Sequence, residues 1–525
     1  MDVKKQLRYL LETPGFHVNL NYREERIKRN PMNIEDVLDG ERYSELSQPG
    51  NVLSTRYNFS YGINNDGFRI CKTSNAEAQP VYLKLNELSP LVRQRYILLA
   101  GIWIDDQPPS MNYILEKCLI EQANELSSAG LQWTRNGENV NSLFIPVYCS
   151  ADAKAKALLL NLNEPTGRKS CLFCDIDGVQ ARGIKFPMWP YGEMEEPLPR
   201  THASISEDMV AAIQERRMVN GFRGGSQLLN LDHFDLKTGF STDDLHPIYV
   251  GVIKDYFERL FLPEGTHYIG AGNIALINRR WLAIKFRTCI SRKPRRILSV
   301  KRWRGTEFRN FLLYGLPCLE GTVGDNIIFN LSHLANAVFL LSKQSIGEDD
   351  LIQAEEDIMI FLFQLQDMFG VHEMKFNVHV LVHLVEVVRA LGNLWAHSTF
   401  NFESWNHRLK KYVTSSWGTC DQVVFRLLLS NFVSAARFDI RISERVKLTM
   451  ESILIRTRLD NALRVGNVYL LGSVERRQVR EQERQLLQEQ GMQLHDRNVL
   501  VYKRASITWN VGQYSIVVNL FILKI

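Results

Sequence analysis

Alternating apolar and polar positions begin at residue 57, where YNFSYGINNDGFRIC, VYLKLNEL and RYILLAGIWI form three runs rich in β-branched and aromatic residues and closed by turn residues. Such runs predict strands over 57–71, 81–88 and 95–104. The period then changes. In MNYILEKCLIEQANELSSAG the apolar residues Ile114, Leu115, Cys118, Leu119 and Ala123 share one helical face, and Gly130 ends it. After the turn TRNGEN, NSLFIPVYCSAD predicts a fourth strand and AKAKALLLNL a second helix. Three strands, a helix, a strand and a helix is the order of an RNase H-like α/β core, and of several other α/β folds.

The remaining texture divides the chain further. Residues 1–56 are polar and mixed and read as a helical or partly ordered lead-in to a first core segment over 57–175. Residues 176–370 open with Pro- and Trp-rich turns (FPMWPYGEMEEPLP) and continue with helical periodicity, the texture of a long insertion. Residues 371–440 complete the core: MKFNVHVLVHLVEVVRAL predicts one apolar helix over 374–391, stopped by Gly392, and NFESWNHRLKKYV places Phe402, Trp405, Leu409 and Val413 on one stripe. Residues 441–525 form an extension, with a charged helix expected over 473–490 and short β-like runs after it. The fold class expected is therefore α/β, an RNase H-like catalytic core interrupted by a large, mostly helical insertion and flanked by terminal extensions.

Composition narrows the function classes. A chain of 525 residues with 45% hydrophobic and 23% charged content has enough apolar material for a large core, which excludes disorder as its resting state. The net charge of +5 is mild for this length, so affinity for nucleic acid has to come from local clusters. The longest apolar runs, IMIFLF and SIVVNLFILKI, fall short of the ~20 residues of a membrane helix, and no leader-like apolar stretch precedes the early Pro and Gly. An intracellular protein without membrane partners is expected. Its eight cysteines are scattered except for one pair, which suits reduced thiols.

That pair, Cys171 and Cys174 in KSCLFC, admits three readings: a redox dithiol, half of a zinc site, or chance. It follows a helix and a Gly-containing turn, whereas a redox dithiol normally sits at a strand-to-helix junction. Zinc needs four soft or borderline ligands. In NVHVLVHL, His379 and His383 are four apart and project from one face of a helix. Alone, such histidines are ordinarily core residues; together, the two half-sites would clip the end of the core to a helix some 200 residues later.

Hard-metal chemistry needs acids. Asp66 lies in INNDGF, a hairpin pattern, and Asp152 in YCSAD, where it can cap the following helix. In an RNase H-like core the first and fourth strands are neighbours, so carboxylates carried there converge, as a two-metal phosphoryl-transfer site requires. Glu403 sits in the first turn of a predicted helix, a common place for an acid facing the helix dipole, and is the candidate third acid. Asp243 and Glu307 are reserve acids, Glu307 reading better as an ion-pair partner among arginines; His246 either orients a carboxylate or packs.

These residues in order resemble the CACTA (En/Spm-like) DDE transposases, which are distantly similar to the catalytic subunit of the V(D)J recombinase. The resemblance covers about residues 55–440 and rests on NNDGFRICKTS with VYLKLNELSPLVRQRYILLAGIWI, CSADAKAKALLLNLN with KSCLFC, STDDLHPIYVGVIKDYF, WRGTEFRNFLLYGLPCL, and VHVLVHLVEVVRALGNLWAHSTFNFESWNHRLKK. It implies Asp66, Asp152 and Glu403 as a triad for Mg²⁺ or Mn²⁺, and Cys171, Cys174, His379 and His383 as ligands of a structural Zn²⁺. It further implies DNA cleavage and strand transfer, a nuclear location and a homodimer that pairs two DNA ends. The Asp243-Asp244-Leu245-His246 block departs from the family pattern at Asp244 and Leu245, and no zinc finger or helix-turn-helix for reading transposon ends is visible.

Residues 279–309 carry twelve Lys or Arg against one Glu, interleaved with Trp281, Phe286 and Trp303. Cations beside rings suit a strand with unpaired bases, although a charge run is as often a solvated face. Arg292, Lys293, Arg295, Arg296, Lys301 and Arg302 are the expected phosphate contacts, with SRKPRR doubling as an import motif and Lys410 and Lys411 holding DNA near the acids. Two other readings stand beside the transposase: a domesticated, non-catalytic DNA-binding protein on the same fold, and an RNase H-like nuclease without strand transfer.

Overall fold

The computed structural model describes residues 1–70, 75–107, 109–179, 188–190, 192, 197–287, 290, 292–415, 417–436, 438–439, 441–447 and 449, and five strands beyond residue 460. The chain forms two compact units, residues 1–283 with 294–443, and residues 284–293 with 444–525.

The first unit is mixed α/β. Its strands are β1 (Phe59–Asn65), β2 (Phe68–Arg69), β3 (Glu77–Leu85), β4 (Ile97–Asp105), the hairpin β5 (Leu131–Arg135) and β6 (Glu138–Ser142), and β7 (Phe144–Ser150). β3 pairs antiparallel with both β4 and β1, and β1 pairs parallel with β7, giving the order β4-β3-β1-β7. The short β2 continues past the end of β1 along the same side of β3. Every residue of β1 and β7 is buried, as expected of parallel strands covered on both faces, and the buried polar residues of β1 include Ser60, Asn64 and Asn65.

The pairing of β1 with β7 contains a bulge. Tyr61 opposes Pro146 and Gly62 opposes Tyr148, so Val147 has no opposite number. Gly62 is required there: a Cβ on it would lie 2.1 Å from the Tyr148 ring. Beyond the bulge Asn64 opposes Ser150, which puts Asp66 and Asp152 at the same level past the ends of two adjacent parallel strands. The free edge of β7 is covered by residues 239–241, which run parallel to it: Cys149 N–H donates to the Gly239 carbonyl at 2.7 Å, and Ser241 N–H to the Cys149 carbonyl at 3.1 Å.

Residues 1–56 are helical in part and pack into the core. The helix Val3–Glu12, capped by Asp2, buries Val3, Leu7, Leu10 and Leu11 in the apolar cluster that also contains the sheet. Gln6 exchanges two hydrogen bonds with the Leu99 backbone of β4, and a buried Arg93–Asp36 ion pair of 2.7 Å ties the segment down again. The region expected as an insertion is mostly helical, with helices His202–Glu215, Lys254–Phe261, Ala271–Ala283, Gly305–Tyr314, Asp325–Leu341 and Glu348–Phe369.

Two expected helices are corrected. Residues 374–391 do not form one helix: Phe376–His379 is α-helical, Val380–His383 tightens into a 3₁₀ turn, and the α-helix resumes over Leu384–Leu391. Over 473–490, residues 473–478 instead belong to strand β9, and the rest lies outside the described residues, as do parts of the 57–71, 186–199 and 279–309 stretches. The second unit is an antiparallel sheet of β8 (Leu463–Val465), β9 (Val468–Gln478), β10 (Asn498–Ile507), β11 (Ile516–Val518) and β12 (Phe521–Lys524), ordered β11-β10-β9-β8 with β12 also on β10. Among the described residues no single helix is long and apolar enough to cross a membrane.

Candidate metal centres

Cys171, Cys174, His379 and His383 meet. Their ligand atoms all lie within 4.8 Å of one another, and all four residues are mostly or wholly withdrawn from solvent. Cys171 Sγ is 3.5 Å from His383 Nε2 and Cys174 Sγ is 3.4 Å from His379 Nε2. Zinc bonds of the usual lengths in a tetrahedron put sulfur and nitrogen about 3.6 Å apart, so the cluster has the edge lengths of a structural zinc site. The 3₁₀ turn over Val380–His383 changes the pitch between the two histidines. Burial opposes ionisation of Cys171, but hydrogen bonding from Cys174 and the imidazoles of His383 and His379 hold its thiol well below the ordinary value. The walls are aromatic: Phe173 stacks on His383 at 5.1 Å and Trp189 on His379 at 5.8 Å. Glu386 stands 3.6 Å from His383 Nδ1 and is itself paired with Lys237, the carboxylate support that fixes the tautomer of a ligating histidine.

The acids form a different kind of group. Asp66 follows β1 directly, and Asp152 follows β7, where its side chain caps the helix Ala153–Leu160 by accepting from Ala155 N–H at 2.6 Å. Glu403 lies in the first turn of the helix Phe400–Tyr412. Asn406, one turn on from Glu403, donates to Asp66 at 3.4 Å while its oxygen accepts from Tyr82 at 2.9 Å, which links the two strands' acid to the third acid's helix. Burial, then the charge of Asp152, with Glu403 and Asp243 behind it, raises the Asp66 carboxyl to about 7. Burial likewise raises Glu403; His246 works against that, and Asp243 and Asp152 reinforce it. Asp66 thus feels the charge of Asp152 and Glu403, and Glu403 that of Asp152. Among the described residues they do not form a set as tight as the thiol and imidazole cluster.

The Asp243–His246 block, whose role the sequence left open, adjoins this group. Asp243 is buried and accepts from the backbone N–H of Leu245 and of His246, both at 3.0 Å, and from the hydroxyl of Thr399. It also holds His246 Nδ1, leaving Nε2 facing Glu403 at 3.7 Å. Burial disfavours the charged ring, but Asp243, with Asp152 and Glu403, brings His246 up to about 9. Asp244 turns the other way and accepts from Ser398 at 2.6 Å. Asp243 is therefore an orienting residue in the second rank, while Ser398, Thr399 and Asn406 are members that sequence reasoning missed. Their only mark in the sequence is proximity to Glu403.

The basic segment needs correction. Trp281 and Trp303 are buried, 1% and 6% exposed, and pack with Phe311 and Phe308 in the helical region, so they offer no face to a base. Arg295 is paired with Glu307 at 2.7 Å and Lys301 with Glu264. Arg292, Lys293, Arg296 and Arg302 are exposed, as are Lys410 and Lys411, with Lys410 lying over the Phe68 ring at 5.0 Å. No protein-family model matches this chain, and no curated protein matches it either.

Proposed function

We propose that this chain is a DDE-type transposase or a transposase-derived enzyme with an RNase H-like core, which cleaves DNA and joins the freed 3′ end to a target. The observation that carries this reading is the parallel pairing of β1 with β7 that ends in Asp66 and Asp152, with Glu403 delivered beside them by a later helix. The order β4-β3-β1-β7, with residues 239–241 parallel on the far edge of β7, suits an RNase H-like sheet. The donor set is hard oxygen throughout, and Asp152 and Glu403 raise the proton affinity of Asp66 although His246 works against them, the condition of a pocket short of positive charge. Bound there, a pair of Mg²⁺ or Mn²⁺ ions supplies Lewis acidity to the phosphoryl group and its attacking oxygen.

The chain's own residues do the rest. Asp66, Asp152 and Glu403 would supply the ligand oxygens, and Asp243 holds His246 charged, with Nε2 turned to Glu403. That imidazolium can give up a proton at Nε2 or stabilise charge on a phosphate. The zinc cluster fastens the segment after Asp152 to the one that leads into Glu403. Exposed Arg292, Lys293, Arg296 and Arg302 are candidate phosphate contacts.

The test is nicking of plasmid DNA with Mg²⁺ or Mn²⁺, and joining of a 3′-hydroxyl end, by the full chain and by Asp152→Ala. Metal-dependent nicking lost in the variant supports the reading. Salt-sensitive, metal-independent binding without nicking by a folded protein discards it in favour of a non-catalytic DNA-binding protein. Hydrolysis without joining leaves a plain nuclease.

A further inference from the structure

Between the zinc cluster and the acids lies a small internal cavity of about 40 Å³, bordered by Lys156, Ser170 and Thr242 together with Cys171, Asp243 and His246. Space of that size admits only a few waters. Among the described residues the buried Ser170 Oγ and Thr242 Oγ1 find no hydrogen-bond partner, and both residues border it. Lys156 is 8% exposed, one helical turn after Asp152, with its ammonium 5.4 Å from the centre of the Phe173 ring. Phe173 is the ring that stacks on His383. One buried cation therefore touches the wall of the soft-donor cluster and shares a cavity with Asp243 and His246 of the acid group.

A buried ammonium is costly unless negative charge surrounds it. The charges that offset burial of Lys156 are those of Asp243, Cys149, Cys171 and Asp152. Thiolates spoken for by zinc contribute little, which leaves the carboxylates as its counter-charge. Those carboxylates are also wanted by an incoming divalent cation, which Lys156 repels.

From this arrangement we infer that Lys156 is a positioning residue that acts as the resident counter-charge of the acid cluster and weakens its hold on divalent cations. A site with such a built-in competitor fills and empties readily, which suits an enzyme whose metal ions shift as one DNA strand replaces another. The inference rests on the proposed role of Asp66, Asp152 and Glu403.

Mn²⁺ titration of the zinc-loaded full chain, read by calorimetry without any DNA, tests it. Mn²⁺ binds the unaltered protein and is lost in Asp152→Asn; Lys156→Met binds on the order of tenfold more tightly, whereas Lys156→Arg, which keeps the charge, stays within about twofold. A purely structural role moves both Lys156 variants in the same direction and tightens neither. Unchanged or weaker binding by a folded, zinc-containing Lys156→Met protein overturns the inference and leaves the acid site standing. An unaltered protein that binds no Mn²⁺ overturns both. Where Met disturbs folding, Lys156→Gln carries the same test, because its uncharged amide keeps a polar group at the cavity.

Discussion

The two donor clusters are both assembled from distant parts of the chain, yet one is closed and the other open. The thiols and imidazoles touch across separations of 212 and 205 residues, are buried, and are supported by rings and by Glu386. The acids are spaced apart, with Glu403 still 47% exposed and Asp66 holding its proton up to about pH 7. The difference follows from charge. A thiol can share a proton with an imidazole and lie against it, whereas carboxylates repel until a cation arrives. A closed centre serves the fold, and an open one can exchange what it binds.

Breaking the closed centre has the largest effect expected. Cys174→Ala, or exhaustive chelation, removes the bound zinc and costs several kcal/mol of stability, read as lost zinc by elemental analysis with a fall in Tm of about 3 °C or more, as about 3 kcal/mol implies for a unit of this size. Asp152→Asn attacks the open centre alone. Nicking falls by about a hundredfold or more while Tm moves little, since Asn replaces Asp as a helix cap at a cost of about 1 kcal/mol or less.

Proton uptake sharpens the contrast next. Asp66 has a folded-state value near 7, above that of an unfolded carboxyl, so it stabilises the cation-free fold fully below about pH 4 and that contribution fades as pH rises through 7. Denaturant unfolding between pH 5 and pH 8 shows stability dropping by about 1–3 kcal/mol, and Asp66→Asn flattens the drop. Added Mn²⁺ reverses the trend, with affinity rising from pH 6 to 8 as the proton is expelled. Removing the neighbouring cation in His246→Ala raises the midpoint of that rise by about half a unit. Smallest is Arg292→Ala with Lys293→Ala: DNA binding weakens evenly across sequences, and the salt slope falls by about one for each phosphate no longer neutralised.

Much of the molecule is legible in its sequence. The β-rich runs, the helix after Asp152 and the buried strands carry strong patterns, and both donor sets show in residue type, spacing and the order of the motifs. What stays hidden depends on tertiary context. The apolar period of 374–391 runs unbroken although the backbone tightens at Val380–His383, because hydrophobicity does not record a change of helical pitch. The tryptophans of the basic segment look like stacking platforms because sequence cannot tell a buried ring from an exposed one. His246 is ambiguous for the same reason: its meaning lies in Asp243 on one side and Glu403, distant in the chain, on the other.

The unmatched Val147 has a wider implication for how this protein tolerates change. Strand side chains alternate in a two-step rhythm and cross-strand partners share a face, so excising that one residue would leave Tyr148 opposite Gly62 and Ser150 opposite Asn64 in a regular ladder, removing only the local bend that the extra residue adds. What is specified at that position is a bend in the backbone more than a place in the ladder. Deletion of Val147 should therefore be better tolerated than deletion of a matched neighbour such as Cys149, which would turn Ser150 and the segment leading to Asp152 through half a step.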